Sequence, residues 1–109
     1  MTLRVVIVRA AATDLKELKR YVQSNFGAEV WQASYGKIKD AIAVIQSFPN
    51  RGWIPDELVN INLTQYRQVI AGMNRIIYEV RDGVAYIHIV CDTRKDLKSI
   101  LFRRLLRSD

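Results

Sequence analysis

The sequence predicts an α+β domain in which a helical hairpin packs on a small antiparallel sheet, in the order β-α-α-β-β-β-α. Three observations carry this. Asp82-Gly83 sits between two alternating apolar runs, and both central residues of a type I′ turn need φ > 0, which Asp and Gly tolerate. Two segments with apolar residues at helical spacing meet at a single glycine, Gly27, the pattern of an antiparallel helix pair. Ahead of them, Leu3, Val5 and Ile7 alternate with Arg4, Val6 and Val8, the period of a strand.

The opening strand is expected over residues 3–9. A first helix follows from Ala10 to Phe26, with Ala11, Leu15, Leu18 and Val22 on one face. Asp14, Lys16, Glu17, Lys19 and Arg20 lie off that face, and Gly27 stops the helix. A second helix from Ala28 to Phe48 carries Trp31, Ser34, Ile38, Ala41, Ile45 and Phe48 at the spacing of a buried seam. Pro49 ends it, since proline disfavours helical geometry in the residue before it.

Residues 51–63 show no regular period and read as a loop, in which Trp53 covers the sheet edge. A strand at Gln65–Ile70 then turns at Ala71-Gly72-Met73-Asn74 into the hairpin. There Ile76, Tyr78 and Val80 alternate with Arg75, Ile77 and Glu79. Across the turn, Val84, Tyr86, His88 and Val90 alternate with Ala85, Ile87, Ile89 and Cys91. The tail from Thr93 to Arg107 spaces Leu97, Ile100, Leu101, Leu105 and Leu106 as a last helix.

Composition bounds the function. A chain of 109 residues is expected to form one domain, 1–109. It contains no apolar run of membrane-spanning length. No signal-peptide pattern opens it, so the cytoplasm is the expected compartment. A single cysteine, Cys91, excludes an internal disulfide, and one histidine with one cysteine cannot build a zinc site. No metal and no cofactor is expected. The net charge of +6 calls for an acidic partner: nucleic acid, ribosome or an acidic protein. Between Asp92 and Asp109, six basic residues stand against three aspartates. That concentrates half of the net charge in the tail. Arg75 enters one hairpin strand and Arg94 leaves the other, so their guanidiniums are expected to meet at one rim, with Arg67 a strand away.

Arg75-X-X-Tyr78-Glu79-Val80, then Asp82-Gly83, then a strand ending in Asp92-X-Arg94-X-Asp96, resembles the bacterial RelE/ParE family of small toxins. The C-terminal wording Asp92-Thr93-Arg94-Lys95-Asp96-Leu97, with Arg103, Arg104 and Arg107 beyond it, is similar to the ParE branch. Ala12-X-Asp14-Leu15-X-X-Leu18-X-X-Tyr21-Val22 is similar to the family's first helix. The resemblance covers nearly the whole chain and implies the same architecture, that of a RelE/ParE-like fold. It further implies a toxin of a type II toxin–antitoxin pair that inhibits DNA gyrase, and so replication, without being an enzyme. A ParD-like antitoxin would neutralise it, in a homodimer or a heterotetramer with that antitoxin.

By the same resemblance the target-binding surface comprises Arg67, Arg75, Arg94, Lys95, Arg103, Arg104 and Arg107. The antitoxin would lie along Leu15, Leu18 and Val22, with Trp53 contributing. The alternative is a RelE-type, ribosome-dependent mRNA endonuclease. Arg75 and Arg94 match that branch's two central arginines and Arg67 one of its strand cations. However, Ile100 stands where its C-terminal Tyr is expected and Val69 where a strand Lys is expected. Arginine stays charged and is a poor proton carrier, so no catalytic residue is assigned. His88 reads as a packed, hydrogen-bonded structural histidine. Tyr78 and Tyr86 read as packing residues, and Tyr66 as a better placed but weak polar candidate.

Overall fold

A computed structural model describes residues 2–106. Its elements are β1 (Arg4–Ile7), α1 (Arg9–Phe26), α2 (Ala28–Ser47), α3 (Asp56–Val59), β2 (Tyr66–Ala71), β3 (Asn74–Arg81), β4 (Val84–Asp92) and α4 (Leu97–Leu105). The sheet runs in the order β1-β4-β3-β2. The antiparallel part is the β2-β3-β4 meander, and β1 adds to it in parallel beside β4, with Arg4 opposite Val84 and Ile7 opposite Ile87. Hairpins are legible from local turn signals. The parallel pairing joins segments some eighty residues apart and has no local signature.

The two faces of the sheet are covered differently. On one, α1 and α2 bury Ala11, Ile38, Ala41 and Ile45 against Val69, Ile76, Tyr78, Ala85 and Ile87. On the other, α3 and α4 bury Leu58, Leu97 and Leu101 against Tyr66, Ile77 and Ile89. Between the hairpin helices, Gly27 has φ 94°, open to glycine at no steric cost. Asp82 and Gly83 both have positive φ, as a type I′ turn requires.

Three features depart from the expected pattern. The loop before β2 contains the one-turn helix α3, which follows Pro55 and buries Leu58. One turn is too short to show a period. That same loop is anchored by Tyr78, whose hydroxyl donates to Pro49 O (2.6 Å) and accepts from Gly52 N–H (3.2 Å). A Cβ at Gly52 would collide with that hydroxyl. The tail helix begins at Leu97 rather than Thr93, because Asp96 caps it by accepting from the Ser99 N–H.

The third departure is a bulge. Ile77 faces Ile89, but the next residue, Tyr78, faces Ile87, leaving His88 as the extra residue on β4. Strict alternation is therefore broken within β4. Ile87 and Val90 both join the helical-hairpin core, while Ile89 joins the opposite one.

Candidate target-binding groove

An open groove of about 1690 Å³ runs between α1, the C-terminal half of β4 and α4. Leu18 and Tyr21 of α1 form one wall, His88 and Cys91 of β4 part of the floor, and Ile100 and Arg103 of α4 the other wall. A single bonded node holds these elements together. Asp14 on α1 accepts from the Val90 N–H (3.0 Å) and from Arg104 Nη2 (2.6 Å), while Arg104 Nη1 donates to the His88 carbonyl (2.9 Å). Burial pushes the Asp14 carboxyl above its ordinary value, outweighing the Val90 and Arg104 bonds that pull it down.

The expected basic residues fall into three settings. Arg94, Lys95 and Arg103 are exposed at the lip of the groove. Arg94 folds back on Asp92, with Nε 2.9 Å from Oδ1, and holds that carboxyl below its usual range. Arg104, Arg75 and Arg67 are bonded inside the molecule instead. Arg75 leaves the same end of the sheet as Arg94, yet the two guanidiniums do not form a common rim. Only 6% of Arg75 is exposed. Its Nη1 donates to Gln68 Oε1 (3.3 Å), and its Nη2 donates to Glu57 Oε2 (3.3 Å) and the Lys95 carbonyl (3.1 Å). This buried cation ties α3 and the β4–α4 turn to the sheet. Arg67 lies on the opposite face, where its Nη1 donates to Gly52 O (2.7 Å). Arg107 lies outside the described residues.

The apolar candidates also separate. Leu15 and Leu18 are half-buried against the hairpin core and Val22 is buried. Trp53 stands at the far edge of the sheet, where it forms a single antiparallel bridge with Gln68 on β2. Sequence reasoning passed over the exposed aromatics of the hairpin tip. Tyr21 (59% exposed) and Phe26 (60%) meet edge to face at 6.2 Å. Tyr21 appears in the first-helix motif, and its position off the apolar stripe was the available signal.

The bulged His88 is hydrogen-bonded, with Nε2 2.9 Å from Glu79 Oε1. The Tyr66 ring meets it edge-on at 5.5 Å, and Tyr86 lies alongside. Arg81 bridges Glu79 (3.5 Å) and the face of Tyr86 (4.6 Å). Burial, and secondarily Glu79, raise the Tyr66 hydroxyl above its ordinary value. The Glu79–His88 pairing escaped the sequence because a two-residue turn places Glu79 opposite Tyr86. Among the described residues, no group of three or more His, Cys, Asp or Glu side chains gathers to hold a metal.

A family model described as the ParE toxin of the type II toxin–antitoxin system parDE matches residues 5–100. No curated protein sequence matches the chain. Among solved structures, the chromosomal ParDE system of P. aeruginosa superposes with a TM-score of 0.69 at 17% identity, covering 84% of this chain and 96% of that one. A RelBE toxin–antitoxin complex from Mycobacterium tuberculosis gives 0.59 at 17% identity over 84% of this chain and 99% of that one. A YoeB dimer from Staphylococcus aureus gives 0.58 at 21% identity over 87% and 100%. At these identities the structures show a shared fold.

Proposed function

The chain belongs to the ParE toxin family of type II toxin–antitoxin systems, and from that premise we propose that it inhibits DNA gyrase and thereby replication until a cognate antitoxin captures it. One observation supports this reading of the groove. Its internal charges neutralise one another at Asp14–Arg104, and at its lip Arg94 is exposed but bonded to Asp92, whereas Lys95 and Arg103 stand exposed there. An acidic surface would be steered there by a net charge of +6. The antitoxin would lay an acidic amphipathic segment along the Leu18–Tyr21 wall, where apolar and aromatic surface is available for anchoring. Toxin and antitoxin would form a heterotetramer, or the toxin a homodimer.

The second reading, a ribosome-dependent mRNA endonuclease of the RelE type, has one observation in its favour. His88 held by Glu79 at the groove floor is a proton carrier of the sort the arginines cannot be. Expression of the chain alone in a bacterium separates the two. The gyrase reading expects DNA synthesis to fail before protein synthesis, and purified protein to block supercoiling. If translation stops first and mRNAs carry cuts that His88→Ala abolishes, the endonuclease reading replaces it.

A further inference from the structure

The sheet ends at β2, and that edge is only partly closed. Trp53 N–H donates to Gln68 O (3.2 Å) and Gln68 N–H donates to Trp53 O (2.8 Å), so Gln68 points its backbone groups away from β3. By the two-residue period of a strand, Ile70 does the same. The loop segment around Trp53, a strap along this edge, leaves it at once on both sides. The residue that would face Ile70 is Arg51, whose N–H turns back to Phe48 O (3.0 Å). The one that would face Tyr66 is Pro55, which has no N–H. Among the described residues, nothing pairs with the outward backbone of Ile70.

Beside this open stretch lies an apolar recess of about 320 Å³, lined by Ala41, Val44, Val69, Ile70 and Trp53, with Arg51 at its rim. Trp53 (51% exposed) and Ile70 (44%) leave apolar surface at its lining. Natural edge strands are normally blunted by charge, proline or cover. Here the one charge on β2, Arg67, is turned aside onto Gly52 O.

We propose that the β2 edge at Ile70, with this recess, is a docking site for an extended acidic peptide segment. Such a segment would extend the sheet antiparallel to β2, in line with the Trp53 strap. One large apolar side chain would enter the recess, and its neighbours would present carboxylates to Arg51 and to Lys37, whose side chain lies 3.2 Å from the position a Cβ would take on Gly72 in the β2–β3 turn. Charge selects the occupant. A second copy paired edge to edge would set the same cations against each other, whereas an acidic strand neutralises them. The site lies across the sheet from the Leu18–Tyr21 groove wall and does not depend on the gyrase reading.

The test uses the full chain and a fluorescently labelled hexapeptide, Asp-Glu-Leu-Glu-Val-Asp, followed by anisotropy and by amide hydrogen exchange. Saturable binding is expected, with exchange at Ile70 slowed at least tenfold while the amides inside the β3–β4 ladder are unchanged. Arg51→Glu and Val44→Trp, the second filling the recess, should each weaken binding about tenfold. Ile70→Pro should abolish it. Should Ile70→Pro fail to fold, a peptide N-methylated on alternate residues asks the same question and should not bind. No saturable binding up to millimolar peptide, or equal binding of the N-methylated peptide, overturns the proposal. So does concentration-dependent dimerisation that Ile70→Pro removes, which would give the edge to a second copy.

Discussion

The two faces of the sheet are built on different terms. The face under α1 and α2 is closed by apolar side chains meeting at regular spacing, with Ile38 and Ile45 fully buried against Ile76 and Ile87. The face under α3 and α4 has a smaller apolar cluster, and polar nodes complete it: Arg75 with Glu57 and Gln68, Arg104 with Asp14, His88 with Glu79. An apolar contact tolerates a change of partner of similar volume. A buried charge does not, because losing its partner leaves it desolvated and uncompensated. The second face, which floors the groove, should therefore answer sharply to single charge changes that the first would scarcely register.

The largest effect expected is at Arg104. Arg104→Glu would set a second carboxylate against Asp14, and should cost about 3–5 kcal/mol in chemical denaturation. One residue away, Arg103→Glu should change stability by no more than about 0.5 kcal/mol, yet under the proposed gyrase reading it should strongly reduce inhibition of supercoiling. Equal melting of the two variants would break the contrast between an internal bond and an exposed lip. Next in size is Ile76→Ala on the hairpin face, at about 2–5 kcal/mol. Its signature should differ in kind: a loss spread over the whole domain in hydrogen exchange. Arg75→Met should instead loosen α3 and the start of α4 while the α1 and α2 amides keep their protection. If Arg75→Met exposes all elements alike, the second face is not a separate unit.

This contrast also explains what could be read before the structure. The helical hairpin, the Asp82-Gly83 turn and most of the seam follow from local spacing: Trp31, Ile38, Ala41 and Ile45 are buried as expected and Ser34 is half-buried, but Phe48, expected at the seam's end, lies past the last turn of α2 and is 55% exposed. The other face depends on contacts with no local trace. A charged residue at a sheet end such as Arg75 looks the same in sequence whether it faces solvent or, as here, a glutamate eighteen residues away. The bulge at His88 then reverses the inward and outward sense of part of β4, which no count of alternating residues reveals. Basic composition pointed to an acidic partner. It could not say that Arg67, Arg75 and Arg104 are bonded within the fold.

A smaller effect tests the edge of the hairpin face. Tyr78→Phe removes one hydroxyl that both donates to Pro49 O and accepts from Gly52 N–H. Leaving those backbone groups without their partner should cost about 1–2 kcal/mol. The loss should be confined to residues 48–53, seen as faster exchange at Gly52 and at the Trp53–Gln68 bridge. An unchanged bridge would mean that the strap is held by Arg67 alone.

The smallest effect concerns the protonation of Asp14. Burial holds its carboxyl above the ordinary 3.8 despite Arg104, so the folded protein binds that proton more tightly than the unfolded chain. Between the unfolded and folded values the native state carries more protons, and stability must fall as pH rises. The contribution is present in full below about pH 3.8 and is lost as pH passes the folded value. Asp92 and Asp96, both held low by neighbouring bonds, act in the opposite direction, so a single melt would mix the signs. Subtracting Asp14→Asn from the native chain at each pH removes them. That difference should become less favourable to the native chain as pH rises from 3.5 towards neutrality. A difference that instead grows in favour of the native chain would mean that Arg104 outweighs burial. The node would then be an ordinary stabilising ion pair, and the second face would owe less to desolvated charge than its geometry implies.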